Sequence, residues 1–309
     1  MTDTAVPGWT GRLSDRLWRQ PRLLLLLLVI PPLLWLGIIY LGSLFALLAQ
    51  SFFSVDEFSG MINREFTLKT YAELLRPSNY DIILRTLVMA ALVTVASAIV
   101  AFPIAYFAAR YARGRWKAVF YLGVMLPLWS SYLVKVYSWK LILAKEGIIS
   151  WAFEALHLTW VLEGFLAIPV IGGNSLSVSA FGTFVVFVYV WLPFMILPIQ
   201  ASLERVAPSM VEASGDLGAT PGQTFRHVLL PLALPGVIAG SIFTFSLTMG
   251  DYIIPGIIGD SSFFIGQAVS SFQGTAGNIP LAAAFAVVPV LIMIIYLAVA
   301  KRMGAFDAL

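Results

Sequence analysis

Asp251 is the most informative acid in the sequence, because it falls well inside the apolar run 230–258. A carboxylate is costly in hydrocarbon, so such a residue must face a wet cavity or meet a partner. In a cavity it would attract an ammonium group, and the aromatic faces of Tyr252, Tyr189 and Trp191 could hold the same cation. The structural alternative is that Asp251 caps a break near Gly250 or pairs with a neighbouring helix, with the aromatics packing. At the level of sequence both readings stay open.

Catalytic chemistry has little to work with. The chain contains no cysteine, which removes thiolate metal sites and cysteine nucleophiles. His157 and His227 fall in loops, and neither an H-E-x-x-H pair nor a G-x-S-x-G element occurs. No Gly-Lys dipeptide is present, so there is no phosphate-cradling G-x-x-x-x-G-K-[ST] loop. The expectation is a protein with no catalytic residues, no metal and no cofactor of its own. Nothing points to nucleic acid as a partner; membrane lipid is the expected surroundings.

Composition agrees. Of 309 residues, 60% are hydrophobic and only 11% charged, against about a quarter charged in a soluble domain. A bilayer needs roughly 20 mainly apolar residues per helix. Runs at 23–50, 82–109, 118–142, 180–202, 230–258 and 281–300 predict an all-α polytopic membrane protein with six transmembrane helices. The first run far exceeds the roughly 7–15 residue apolar core of a signal peptide, so it reads as a retained anchor. The third and fifth are interrupted by Pro127, Pro255 and several polar residues.

Lys and Arg concentrate on the cytoplasmic side of membrane proteins. A cytoplasmic N-terminus places Arg12, Arg16, Arg19 and Arg22 there, with Arg110, Arg113, Arg115 and Lys117, then Arg205 and Arg226, and finally Lys301 and Arg302. Both termini are therefore expected inside. The outer loops are more acidic, carrying Asp56, Glu57, Glu65, Glu73, Asp81, Glu146, Glu154, Glu163 and Asp260. The stretch Gly147–Leu162 reads as an amphipathic helix on the membrane surface, anchored by Trp151 and Trp160. The organisation is then a cytoplasmic segment 1–22, a first helix and outer loop 23–81, a transmembrane core 82–300 and a tail 301–309.

Within that core, the longest cytoplasmic loop, 203–230, reads as two short helices. Pro208 suits the first turn of one, and Gly218 sits where it ends, in the left-handed conformation glycine adopts without a Cβ clash. Thr220, Pro221 and Gln223 form an N-cap, first turn and capping box for the second. Pro231 and Pro235 are expected to close or kink the chain where it re-enters the membrane. The run Glu212-Ala213-Ser214-Gly215-Asp216-Leu217-Gly218, nine residues, then Val228-Leu229-Leu230-Pro231 resembles the EAA loop of type I, binding-protein-dependent ABC importer permeases. That family's pattern is Glu-Ala-Ala, three residues, Gly, nine residues, Ile-x-Leu-Pro. The spacing agrees, with Ser214 in place of the second Ala and Val228 in place of Ile.

The resemblance implies a multi-pass subunit of the bacterial inner membrane, with Glu212, Ala213, Ser214, Gly218, Val228, Leu230 and Pro231 forming a coupling loop. That loop would sit in a cleft of an ATPase subunit. The implied partners are two ATPase subunits that hydrolyse ATP with magnesium, a second permease (a paralogue in the branch this chain resembles) and an external solute-binding protein. Softer likenesses are the Arg-rich N-terminus running into Leu23–Pro32, the stretch Met125–Trp129 and the stretch Ser246–Tyr252. They resemble the spermidine/putrescine permeases and make a polyamine the expected cargo, with iron, opines, amino-acid-like or other organic solutes as alternatives. A stand-alone secondary carrier would show internal repeats and several midplane charges; no clear repeat is visible, and Asp251 is nearly alone at depth.

Overall fold

The computed structural model describes residues 18, 20–56, 59–260 and 262–302. Arg12, Arg16, Arg19, Glu57 and the tail beyond Arg302 lie outside the described residues. Apolar sequence becomes helix here because each backbone N–H and C=O must find its partner within the chain in hydrocarbon. In chain order, α1 spans Pro21–Gln50, a two-stranded hairpin pairs Ser54–Val55 with Ile62–Asn63, and α2 spans Lys69–Leu74. Next come α3 (Pro77–Arg110), α4 (Arg115–Trp129) and α5 (Tyr132–Ile142), then the short α6 (Ile148–Ala155) and α7 (Thr159–Leu166). The remaining helices are α8 (Ala180–Arg205), α9 (Pro208–Asp216), α10 (Pro221–Gly250), α11 (Ile253–Ile257), α12 (Ile265–Gln273) and α13 (Ile279–Arg302).

Among the described residues five helices are long and apolar enough to cross a membrane: α1, α3, α8, α10 and α13. The predicted third span, 118–142, is not one straight helix. It is the pair α4 and α5, bent by 95° between Trp129 and Tyr132, and brings the number to six if the pair is one span. The cause lies in the Pro127 carbonyl, whose helical partner would be the Ser131 N–H. It accepts instead from the Ser130 hydroxyl at 2.9 Å and from Lys135 Nζ at 2.8 Å.

The predicted fifth span, 230–258, is also displaced. Its helix begins at Pro221, runs through Pro231 and Pro235 without ending, and stops at Gly250. A π-helical stretch, Phe225–Leu229, lies just before the two prolines. The predicted surface helix 147–162 is two helices, separated at His157, whose φ is +56°; Trp151 and Trp160 are exposed on them.

The core lies where α3, α8 and α10 pack together. Near one end Ala101, Ala105, Met195, Ile199, Leu203, Leu229 and Ala233 form one buried cluster. Toward the other, Met89, Val93, Val186, Phe187 and Val190 meet Val136 of α5 and Ile254 of α11. The matching halves show that α3 and α8 run parallel and α10 runs against them. α13 runs against α10 in turn, since Leu281 and Phe285 join Phe245 and Met249, and Tyr296 donates to Ser241 Oγ at 2.7 Å. In contrast, α1 buries none of its residues. A helix apolar all round and buried nowhere requires lipid or another subunit against it.

Small residues set the α8–α10 distance. A Cβ at Gly236 would overlap the Pro198 carbonyl oxygen and the Ser202 side chain. Gly236→Val is therefore expected to destabilise the bundle by about 2–3 kcal/mol, measured as a lower melting temperature in detergent.

This packing collects Arg110, Arg113, Arg115, Lys117, Arg205, Arg226, Lys301 and Arg302 at one end, together with the segment 206–220. The acidic residues Glu73, Asp81, Glu146, Glu154, Glu163 and Asp260 belong to the segments at the opposite end.

Candidate functional site: a capped loop and a cleft between two helix breaks

The segment linking α8 to α10 is shorter than the predicted loop 203–230, because α8 continues to Arg205 and α10 starts at Pro221. Between them, α9 opens on Pro208 and ends before Gly218, whose φ of +79° is the left-handed conformation predicted from its type. The capping box at Thr220 is present: its hydroxyl accepts from Gln223 N–H, and Gln223 Oε1 accepts from Thr220 N–H at 2.8 Å. Ser214, which departs from the family pattern, bonds Thr224 Oγ1 at 2.9 Å and so ties α9 to the first turn of α10.

Glu212, Ala213 and Gly218 are exposed, as are Leu230 and Pro231; Val228 is half-buried, and the adjacent Leu229 is the residue that enters the core. Leu217 and Met210 add exposed apolar surface, Leu217 at 89%. The segment is thus a capped, internally bonded pair of helices with apolar side chains turned outward. Thr220→Ala removes one cap, at a cost of about 1 kcal/mol, and is expected to speed proteolysis within 206–220.

Behind this loop stands a polar cluster that sequence did not reveal. Glu204, the penultimate residue of α8, pairs with Lys117 Nζ of α4 at 2.9 Å and accepts from Tyr121 at 3.1 Å and Gln200 Nε2 at 3.2 Å. It holds the first turn of α4 to the base of the loop.

The second candidate lies toward the other end of α10. Asp251 is not deep within a span; it occupies the break that ends one, 9% exposed. Its Oδ1 accepts from the backbone N–H groups of Ile253 and Ile254, at 2.7 and 3.1 Å, and so starts α11. Tyr132, the first residue of α5, donates its hydroxyl to Oδ2. Both structural roles foreseen for Asp251, capping a break and pairing with a neighbouring helix, are present together. The break is also braced from behind. A Cβ at Gly266 of α12 would come within 2.6 Å of the Asp251 carbonyl oxygen, so only glycine lets α12 lie against it.

Asp251 nevertheless borders open space. A cleft of about 320 Å³ is lined by Tyr132, Trp191, Ser246, Leu247, Gly250, Asp251, Tyr252 and Ile253. The rings of Tyr132 and Trp191 stack with centroids 5.8 Å apart, and Trp191 Nε1 is buried without a hydrogen-bond partner among the described residues. A carboxylate, an aromatic wall and the C-terminal, partially negative end of a 30-residue helix all favour a cation there. Of the four predicted pathway residues, Asp251, Tyr252 and Trp191 meet at this cleft. Tyr189 does not; it packs on Trp139 at 5.1 Å. Tyr132 was missed, although the Ser130-Ser131 pair that comes after Pro127 marks where a helix could stop and a new one begin.

Comparison with known proteins gives the class. Residues 101–305 match the family model "Binding-protein-dependent transport system inner membrane component", and the chain belongs to that family. Among relatives, it is 56% identical over 303 residues to the inner membrane ABC transporter permease protein YdcU of Escherichia coli K12, covering 98% of this chain and 96% of that one. It is also 28% identical over 236 residues to the spermidine/putrescine transport system permease protein PotB of the same organism, covering 76% of this chain and 81% of that protein. A solved bacterial ABC transporter for import of the acidic polysaccharide alginate shares the fold, with a TM-score of 0.68 at 17% identity, over 94% of this chain and 99% of that one.

Proposed function

We propose that this chain is the solute-conducting subunit of an ATP-driven polyamine importer in the bacterial inner membrane, with both termini cytoplasmic. The cargo reading is carried by the Asp251 cleft, whose carboxylate, aromatic wall and helix end suit an ammonium group. It is supported by the likeness to relatives named for spermidine and putrescine. The orientation is supported by the gathering of basic residues at the end that carries 206–220.

In this reading the chain hydrolyses no ATP and holds no cofactor. It pairs with a second permease, a paralogue, stands on two ATPase subunits that hydrolyse ATP with magnesium, and receives solute from an external binding protein. The segment 206–220 seats on the ATPase as a lever, with Glu212 facing a basic or N–H-rich surface and Gly218 fixing the turn. Closure of the ATPase dimer on ATP pulls this lever, and the strain enters the bundle through α8 and α10, which flank it. The pathway then switches from inward- to outward-facing.

The test is uptake of labelled putrescine and spermidine by cells with and without this chain, against a panel of unlabelled competitors. Loss of uptake on deletion, competed only by polyamines, is the expected result. Unchanged polyamine uptake would remove the cargo and leave the family membership standing.

A further inference from the structure

We infer that the Tyr132 hydroxyl is a latch on the solute site, which a cationic solute must displace before the pathway can change state. The inference rests on the proposed role of the Asp251 cleft in the pathway and adds a residue that decides when that cleft is available.

A carboxylate offers about four acceptor positions. On Asp251 two are taken at Oδ1 by the backbone of α11, where they cap its first turn. Oδ2 holds one hydrogen bond, from Tyr132. It is the oxygen not committed to α11, and its present occupant is a single side chain on a different element. An ammonium group brings a full charge and is the stronger donor to a carboxylate, so it can take the place of a neutral hydroxyl.

The bond joins two discontinuities 119 residues apart. Tyr132 begins α5 immediately after the 95° bend from α4, and Asp251 is the break between α10 and α11. The first turn of α5 is otherwise tied back to α4, through Lys135 Nζ on the Pro127 carbonyl. Val136 is the helix's one buried residue, and Tyr132 otherwise leans its ring on Trp191. Releasing the hydroxyl therefore removes the polar tie between the start of α5 and the end of α10, the helix whose other end carries the capped segment 206–220. Occupancy of the cleft and loss of that tie become one event, and the hydroxyl reduces the apparent affinity of any cation by competing with it.

The experiment uses the whole importer in proteoliposomes, comparing wild type, Tyr132→Phe, Asp251→Asn and the double variant. Tyr132→Phe removes only the hydroxyl and keeps the ring on Trp191. Two readings are taken per assembled complex: ATPase activity without solute or binding protein, and the putrescine concentration for half-maximal uptake. Loss of one hydrogen bond to a charged group predicts solute-independent ATPase raised roughly tenfold and half-saturation lowered by a similar factor in Tyr132→Phe. Asp251→Asn, which weakens the same bond, should also raise solute-independent ATPase, and the double variant should rise no further than the larger single change. Unchanged solute-independent ATPase in Tyr132→Phe, or additive effects in the double variant, would overturn the latch. If Tyr132→Phe does not assemble, unchanged solute-independent ATPase in Asp251→Asn overturns it equally. Wild-type complex that takes up no putrescine would instead reject the polyamine reading, and solute-independent ATPase would still decide the latch.

Discussion

Replacing Glu212 by Ala and Gly218 by Val together is expected to reduce ATP-driven uptake at least tenfold while the chain still reaches the membrane. Neither residue belongs to the core: both are exposed, and a Cβ at Gly218 would meet only open space. The damage is conformational and chemical. Gly218 holds φ at +79°, where a β-branched residue costs about 1–3 kcal/mol. That cost is relieved by moving α9 out of register with the Thr220 cap. Loss of Glu212 removes the carboxylate proposed to face the ATPase. The measurement is uptake together with ATPase activity stimulated by loaded binding protein. Loss of both with normal membrane content supports the lever; stimulated ATPase at the wild-type level would remove it.

Asp251→Asn should cut uptake of putrescine roughly 10–100-fold with little loss of folded protein. The amide keeps an Oδ1 acceptor for the Ile253 and Ile254 N–H groups, so α11 can still start. What disappears is the negative charge in the cleft, and a hydrogen bond to a charged partner contributes about 1.5–3 kcal/mol. If the cleft binds the cation, the loss appears mainly as a higher half-saturation. If Asp251 only caps the break, uptake changes little and the melting temperature reports whatever stability is lost. Asp251→Ala separates these further, since it removes cap and charge together.

How much of this was legible in the sequence depends on the reach of the interactions concerned. The 206–220 segment was readable because its determinants are local. Thr220, Gln223 and Gly218 act on backbone within a few residues, and their types state the geometry. The long helices were readable from apolar length alone. The interruption of the third run near Pro127 was readable, but the 95° bend between α4 and α5 was not, because it is held by Lys135 reaching the carbonyl of Pro127 eight residues back and by Tyr132 reaching Asp251 across 119 residues. The end of α10 was legible in part: a break capped by Asp251 near Gly250 is one of the two readings the residues allow, while the hydropathy run passes over it because apolar residues continue on both sides. The Glu204 cluster depends on α4 and α8 coming together, 87 residues apart at Lys117 and Glu204. Ser214 looked like a mild departure from a pattern, and only its bond to Thr224 shows it working as a tie.

The most direct test of the central claim, that 206–220 docks on an ATPase, exploits the absence of cysteine from this chain. A single Leu217→Cys, at a site 89% exposed, would be labelled with a photoreactive maleimide in the assembled importer and irradiated with and without ATP. A covalent adduct to the ATPase subunit whose yield changes on ATP addition is the expected result. No adduct to that subunit from a labelled, assembled complex that still transports would contradict the docking.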